Sequence, residues 1–373
     1  MTAEGPHGAT PLARKLAARI ARDGPIGVDD FMQACLQDPE HGYYRRQPAI
    51  GRAGDFVTAP EISQVFGELV GLWCAIVWQQ TGSPQAVRLI ELGPGRGTLM
   101  CDALRAARLV PAFRAALHLE LVESNAALEP VQRATLSGEG ISLHWSADIL
   151  PATGPAIVIA NEFIDTLPAA QWVFRAGSWQ ARCVGLDAAG NLAFADGAPT
   201  ANLEIFAGTP EPGEGDIFEE RTAALADFAA KLAALGAPVA ALFIDYGHIR
   251  PSLGDTLQAV QAHRHTDPLV SPGEADLTSQ VDFAAFADAM RARGLTCDGP
   301  VTQGEFLGRL GIIERASRLM AANPAKAAQI EADIARLMAP GGMGGRFQAI
   351  GIRSPQLAPL PALAAVDSVA GSP

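Results

Sequence analysis

VRLIELGPGRGTLMCDALRAA, residues 87 to 107, is the stretch that decides the fold. The apolar run at 87–92 predicts a strand, and the segment after Gly97 predicts a helix. Between them Gly93, Gly95 and Gly97 recur at every second position. Glycine removes the Cβ where the backbone approaches a ligand closely or adopts a positive φ. A strand, a tight glycine loop and a helix in this order predict a nucleotide-type binding corner.

The spacing of the glycines bears on which ligand is bound. It is GxGxG rather than the GxGxxG of dinucleotide folds, and Glu91 stands two positions before the first glycine. A dinucleotide pocket directs a helix N-terminus at a pyrophosphate. An acid in front of tightly spaced glycines suits a ligand without phosphate and with a cationic amino-acid end. S-adenosylmethionine (SAM) is such a ligand. The GxGxG spacing alone does not exclude a nicotinamide dinucleotide.

Three more apolar runs follow the glycine corner and predict a parallel sheet covered by helices. The first ends at Glu123, the second ends near Asp148, and the third, AIVIANEF, ends at Asn161. Open α/β sheets bind ligands at the carboxyl ends of their strands. We therefore expect the Glu123 carboxylate to accept hydrogen bonds from the ribose hydroxyls. We expect Asp148 to contact the edge of the adenine ring. For either acid alone, helix capping or simple solvation is the alternative.

The segment ANEFIDTLP carries the candidate catalytic residues Asn161, Glu162 and Asp165. The end of this strand faces the methyl end of the cofactor in such an architecture, so polar groups there are expected to meet the methyl acceptor. The alternative for Asn161 and Asp165 is that they cap and terminate local structure.

The irregular loop at residues 41–61 combines glycine, proline, aromatic and charged residues. Loops longer than about 15 residues are often active-site covers. We expect a lid with Asp55, Thr58 and Glu61 as candidate substrate contacts, and a passive surface loop is the alternative.

A second loop, HRHTDPLVSPGEADLT at residues 263–278, contains His263, His265 and Asp267. No further histidine or cysteine stands nearby to complete a metal site. We therefore predict no metal and regard His265 as a candidate substrate contact, with loop scaffolding as the alternative.

The length of 373 residues predicts about two units, or one large α/β domain with insertions. We expect a helical subdomain with the lid loop at residues 1–82 and an α/β domain at 83–353. A small β meander is expected in an insertion at 171–236. The Pro- and Ala-rich residues 354–373 are expected to be a flexible tail.

Charge and cysteine usage narrow the class of protein. The net charge of −12 argues against nucleic-acid binding. No apolar run reaches the roughly 18 residues of a membrane span, so no membrane insertion is expected. The five cysteines form no CxxC pair, which favours reduced thiols and a cytoplasmic location. The basic N-terminal segment resembles a targeting presequence in composition, but it also predicts an ordinary first helix ending at Gly24 and Pro25.

An ordered series of segments resembles the MidA family of class I SAM-dependent methyltransferases over residues 10–353. The segments are GDFVTAPEISQVFGELVG, ELGPGRGTLMCDALR, VESN, ANEFIDTLP, FIDYGH, HRHTDPLVSPGEADLTSQVDF and MGGRFQAIGIR. The resemblance implies an α/β fold with a Rossmann-like sheet and SAM as cofactor. The family's mitochondrial members are complex I assembly factors that methylate an arginine of a core subunit, so a protein-arginine activity is implied here.

Other functions remain open from the sequence. A small-molecule methyltransferase, a non-catalytic assembly or binding protein with the same fold, and a nicotinamide oxidoreductase are all compatible with the glycine corner. The sequence does not determine the oligomeric state or the acceptor.

Overall fold

The computed structural model describes residues 10–45, 58–151, 153–200, 203, 208–236 and 238–364. The chain divides into two compact units. Unit 1 is formed by Met1–Phe56, Ile164–Leu225 and His248–Ala285, and unit 2 by Val57–Phe163, Ala226–Gly247 and Phe286–Pro373. Each unit is therefore assembled from three separate stretches of sequence.

The helices of the described residues are α1 Pro11–Asp23, α2 Val28–Gln37, α3 Ala59–Ile62, α4 Gln64–Gln80, α5 Thr98–Ala107, α6 Pro111–Ala116, α7 Glu129–Leu136, α8 Thr222–Ala233, α9 Phe283–Arg291, α10 Gln303–Arg309, α11 Ile312–Ala322, α12 Ala327–Met338 and α13 Met343–Arg346. Short 3₁₀ turns occupy Tyr43–Arg45, Ile164–Thr166 and Pro324–Lys326. In the part of the chain that the structure describes, no helix has the length and apolar character to cross a membrane.

The strands are β1 Ile26–Gly27, β2 Val87–Leu92, β3 Leu117–Val122, β4 Leu143–Ser146, β5 Ala156–Asn161, β6 Ala170–Arg175, β7 Ser178–Leu186, β8 Leu192–Thr200, β9 Ile217–Glu220, β10 Val239–His248, β11 Gln258–Gln261, β12 Arg264–Thr266, β13 Asp276–Thr278, β14 Val281–Asp282, β15 Thr296–Thr302 and β16 Phe347–Arg353.

Unit 2 is built on a mixed sheet with the strand order β15-β16-β10-β5-β2-β3-β4. The neighbours from β4 to β10 pair in parallel, whereas β16 runs antiparallel to both β10 and β15. The central strands are apolar and buried, as a parallel sheet covered on both faces requires. The expected α/β class with a Rossmann-like sheet is confirmed.

Helix α4 lies against α5 at unusually short range in unit 2. A Cβ added at Gly67 would come within 2.6 Å of the Asp102 Cβ, and one added at Gly71 would overlap the Ala103 carbonyl. The two glycines therefore permit a backbone contact that larger residues would prevent. This contact places α3 and α4 in the same unit as the sheet, although the sequence assigned residues 57–82 to a helical subdomain.

Unit 1 contains the predicted meander. Its antiparallel strands lie in the order β1-β7-β6-β9, and β8 pairs with the other edge of β7. A second, three-stranded sheet has the order β12-β11-β13. The core of this unit includes Leu16 of α1, Phe31 of α2 and Val184 of β7. The predicted first helix is confirmed as α1, which ends where Gly24 donates its N–H to the Ile20 carbonyl.

Two features of unit 2 outside the site were not predicted from the sequence. The first part of the expected flexible tail packs in unit 2: Leu360 and Leu363 are buried, and the Trp73 indole donates to the Pro361 carbonyl at 3.0 Å. Residues 365–373 lie outside the described residues. Strand β15 was not foreseen, because Gly299 and Pro300 interrupt its pattern and its register with β16 shifts between Asp298 and Val301.

Candidate functional site

The glycine corner follows β2, and its backbone explains the GxGxG spacing. Gly93, Gly95 and Gly97 have φ values of 62°, 52° and 80°, a region that glycine enters without strain. The Gly93 N–H donates to the Val122 carbonyl at 3.0 Å, which ties the corner to β3. Gly97 is the N-cap of α5. The predicted strand, loop and helix are present, and the three glycines add no Cβ atoms to the loop.

Glu91 places a carboxylate beneath this corner. The residue is 3% exposed, and its Oε2 atom has no hydrogen-bond partner among the residues that the structure describes. Burial, and then the nearby charge of Glu123, raises the pKa of Glu91 from 4.5 to about 8. A buried carboxylate without a cationic partner is costly. The residues here therefore fit a ligand that brings an ammonium group, as the amino-acid end of SAM does.

Glu123 follows β3 and is held beside the same loop. Its Oε1 accepts from the Asn125 N–H at 2.7 Å, and its Oε2 accepts from Gln132 Nε2 at 3.1 Å. These contacts hold the carboxylate at the carboxyl end of β3, where the sequence placed it. Its contact with a ribose remains a prediction.

Gln132 on α7 is a site residue that sequence reasoning missed. It is fully buried, and its Nε2 also donates to the Gly95 carbonyl at 2.9 Å. Its Oε1 accepts from the Trp145 indole at 2.8 Å. One amide thus joins the glycine loop, Glu123 and β4. No local sequence signal distinguishes this glutamine from others on helices.

Asp148 lies after β4 and is exposed. Its Oδ1 accepts from the Ile149 N–H at 2.8 Å, and its Oδ2 accepts from Lys231 Nζ at 2.8 Å. The carboxylate therefore has an ion-pair partner on α8. The expected contact with adenine remains a prediction.

Asn161 and Glu162 form a linked pair at the end of β5. Asn161 Nδ2 donates to Glu162 Oε1 at 3.0 Å, while Asn161 Oδ1 is buried and has no hydrogen-bond partner within the described part of the chain. Glu162 has φ 53°, which a non-glycine residue seldom adopts. Backbone strain of this kind persists where surrounding contacts impose it and is concentrated at functional sites.

The backbone around Glu162 is anchored to β10. Its N–H donates to the Ile244 carbonyl at 2.9 Å, and the Phe163 N–H donates to Asp245 Oδ2 at 3.1 Å. Asp245 is 1% exposed, and its Oδ1 accepts from the Tyr246 N–H at 2.9 Å. Asp245, in the family-like segment FIDYGH, therefore fixes the turn that presents the pair. Its role was not foreseen from the sequence.

Asp165 belongs to unit 1, where it is 3% exposed. Its carbonyl accepts from the Ser279 N–H at 3.1 Å. In the same unit the Tyr44 hydroxyl donates to Asp276 Oδ1 at 2.9 Å. Burial, followed by the charges of Asp276 and Asp165, raises the pKa of Tyr44 well above its usual range. Tyr44 and Asp276, which are both half-buried, thus lie near the buried Asp165 in one polar group that the sequence did not predict.

Arg221 holds the backbone of this group in place. It is 7% exposed, and its guanidinium donates to the carbonyls of Leu167, Gln280 and Ser279 at 3.1, 2.8 and 2.7 Å. The segment after β5 and the segment before α9 are therefore joined through one side chain.

The four remaining candidates are placed differently. Asp55 lies outside the described residues. Thr58 is the N-cap of α3, and Glu61 accepts from the Thr98 hydroxyl at 2.5 Å, directly after the glycine corner. His265 is exposed on β12 of unit 1. Among the described residues, no group of three or more His, Cys, Asp or Glu side chains is arranged to hold a metal ion.

Several known proteins are similar to this chain in sequence. Residues 69–301 match the model of a family described as S-adenosyl-L-methionine-dependent methyltransferases. The chain is 35% identical to a Drosophila melanogaster protein named protein arginine methyltransferase NDUFAF7 homolog, mitochondrial, over 93% of this chain and 85% of that protein. It is 33% identical to the Homo sapiens protein arginine methyltransferase NDUFAF7, mitochondrial, over 91% and 82%.

A solved structure agrees with these relatives. A Burkholderia thailandensis protein crystallised with bound S-adenosyl-homocysteine is 29% identical and superposes with a TM-score of 0.84, covering 95% of this chain and 94% of its own. The fold and the glycine corner thus define a class I methyltransferase that uses SAM as its cofactor. The chain belongs to the MidA-like family of SAM-dependent methyltransferases.

The comparison corrects one expectation. Scattered cysteines favoured a cytoplasmic location, but the relatives are named mitochondrial proteins, so that prediction is wrong. Reduced thiols occur in more than one compartment, and five unpaired cysteines therefore do not specify the cytoplasm.

Proposed function

We propose that the chain methylates an arginine side chain of a protein, and that this protein is a core subunit of respiratory complex I. The names of the relatives support the arginine acceptor, because those proteins are called protein arginine methyltransferases and align with 90 to 93% of this chain. The complex I subunit follows from the resemblance to the MidA family.

The observation that carries the proposal is the Asn161–Glu162 pair. Asn161 Oδ1 is a buried carbonyl oxygen without a partner among the described residues, and Glu162 supplies a carboxylate beside it. Both are acceptors, and a guanidinium is a planar group of five N–H donors with no acceptor. The pair therefore complements arginine in hydrogen-bonding character and in charge.

The reaction requires alignment more than acid strength. When bound, SAM would supply a methyl group on its sulfonium sulfur. The arginine nitrogen would form the new nitrogen–carbon bond in line as the carbon–sulfur bond breaks; the electron pair would stay on the sulfur of S-adenosyl-homocysteine, and the proton lost from the nitrogen would pass to water. Glu162 is proposed to bind two N–H groups and to leave the third nitrogen directed at the methyl group, because orientation of this kind lowers the barrier. Asn161 is proposed to accept an N–H on the same side, and Asp165 remains a proposed catalytic residue.

The test uses methyl-labelled SAM and lysate from cells that lack this protein. Labelled protein is expected, with the label on arginine. Glu162→Gln is expected to lower transfer about a hundredfold, as the loss of an electrostatic contact to the reacting group does. Binding of S-adenosyl-homocysteine should change by less than about threefold, because the glycine corner is untouched.

Glu129→Gln is the matched control, since Glu129 pairs with Arg133 on the exposed side of α7. It should transfer methyl groups at the wild-type rate. Label that appears only in extract filtered free of protein identifies a small-molecule methyltransferase instead. Capture of a partner without any label identifies a binding protein.

A further inference from the structure

Helix α3 contacts both functional parts of unit 2. Glu61 Oε1 accepts from the Thr98 hydroxyl at 2.5 Å, and Thr98 is the first residue of α5, immediately after Gly97. Two residues earlier, the Ala59 N–H donates to Glu162 Oε1 at 3.4 Å. One short helix therefore links the cofactor corner to the carboxylate assigned to the acceptor.

The support behind α3 limits its freedom to move. Ala59, Pro60 and Ile62 are buried. Ser63 then ends α3 and caps α4, its side chain accepting from the Val65 N–H at 3.3 Å. Since α4 is in close backbone contact with α5 at Gly67 and Gly71, α3 keeps a defined position relative to the glycine corner.

The Glu61–Thr98 hydrogen bond is suited to transmit a conformational change of the glycine corner to α3. A hydroxyl that donates to a carboxylate makes a charge-assisted hydrogen bond, which is shorter and about twice as strong as a neutral one. Thr98 belongs to the backbone turn that carries the corner, so any change in that turn reaches Glu61 directly. Ala59 carries the same change to Glu162 because it is on the same helical turn.

We propose that Glu61 is a positioning residue: through α3 it fixes the Glu162 carboxylate relative to the glycine corner, so that cofactor binding also orders the acceptor contact. The acceptor part of this statement rests on the proposed function. The coupling of the corner to α3 does not, because it involves the cofactor alone.

Hydrogen–deuterium exchange tests the coupling with S-adenosyl-homocysteine as the probe. In the wild-type chain, saturation with the probe should slow exchange of the amides of Ala59, Glu61 and Ile62 about tenfold, as one hydrogen bond to a charged group implies. Thr98→Val removes the hydroxyl at nearly constant shape. It should still bind the probe but lose this protection, and Thr98→Ser should restore it.

Thr135→Val is the matched control, since Thr135 also uses its hydroxyl within a helix of unit 2, donating to the Val131 carbonyl at 3.0 Å. It should keep the protection. Protection that persists in Thr98→Val, or that is missing from wild type, overturns the proposal whatever the acceptor is.

Methyl transfer supplies the second readout. At saturating cofactor, Thr98→Val and Glu61→Ala should each lower the transfer rate about tenfold, and the double variant should be no slower than either one, because both remove the same contact. A loss confined to cofactor affinity would indicate a merely local role. A label on a residue other than arginine would refute the proposed function. The ratio of the variant to the wild-type transfer rate would still measure the coupling through α3.

Discussion

The glycine corner and the end of β5 both present polar groups to a ligand, but they do so in different ways. At the corner the backbone presents these groups: three glycines adopt positive φ and add no Cβ atoms of their own. At the end of β5 a side chain presents the polar group, and Glu162 has a φ of 53° although it is not a glycine. The first arrangement needs a local sequence pattern, whereas the second needs contacts from β10 and α3 that lie far away in the sequence.

A variant of the corner should have the largest effect. Gly97→Val places a β-branched side chain at φ 80°, and the resulting strain of roughly 1–3 kcal/mol should weaken S-adenosyl-homocysteine binding by up to about a hundredfold. Isothermal calorimetry measures this. Gly177→Val is the control, because φ is 77° there and nothing lies within 4 Å of an added Cβ. Equal losses of binding in both variants would contradict the account of the corner.

A variant on the acceptor side should leave the corner intact. Asp165→Asn keeps the shape of the side chain and removes its charge, so methyl transfer should fall about thirtyfold, consistent with roughly 1.5–3 kcal/mol for a charged hydrogen bond. Cofactor affinity should stay constant. Asp187→Asn changes a turn carboxylate of unit 1 that binds the Ala189 N–H, and it should have no effect on transfer. If Asp165→Asn weakened cofactor binding instead, the proposed difference in role between the two regions would be wrong.

The corner should also respond to pH through Glu91. Its pKa of about 8 means that the free protein carries a protonated carboxyl at neutral pH, and a bound ammonium requires the carboxylate. Affinity for S-adenosyl-homocysteine should therefore rise about tenfold per pH unit up to pH 8 and then level off. The charged group facing Glu91 is Glu123, and the Cys74 thiol lies near it. Glu91→Gln should bind more weakly and with no such slope.

The same shift affects stability in the opposite sense. Because folding raises the pKa of Glu91 from 4.5 to about 8, the folded protein keeps a proton that the unfolded chain releases between these values. This group therefore favours the folded state at low pH, and its contribution is lost as the pH rises toward 8. Denaturant titrations of wild type and Glu91→Gln between pH 5 and about 8 measure the difference.

The smallest effect is expected at Gln132. Gln132→Met keeps the volume but removes the hydrogen bonds to Gly95, Glu123 and Trp145, so the affinity for S-adenosyl-homocysteine should fall about fivefold, which corresponds to roughly 1 kcal/mol. Gln329→Met on the exposed face of α12 is the control. An unchanged affinity in Gln132→Met would show that the glycine loop keeps its shape without this amide.

The comparison also explains how far the sequence predicted the structure. The glycine pattern, the apolar strands and the acids at strand ends are local, so β2 to β5 and the placement of Glu91 and Glu123 were predicted. Gln132, Asp245 and the Tyr44–Asp276 contact depend on pairings between distant segments, for which one sequence holds no periodic signal. The same reason applies to Glu61, which was assigned to a substrate lid but contacts Thr98 beside the corner.

The most direct test of the central claim is the chemical identity of the methylated residue. Wild type and Glu162→Gln are each incubated with labelled SAM and lysate from cells lacking the protein, and the labelled protein is hydrolysed and analysed by mass spectrometry. The account predicts methylarginine with wild type and about a hundredfold less with Glu162→Gln at unchanged cofactor affinity. Label on another amino acid, or equal methylarginine from both proteins, would contradict it.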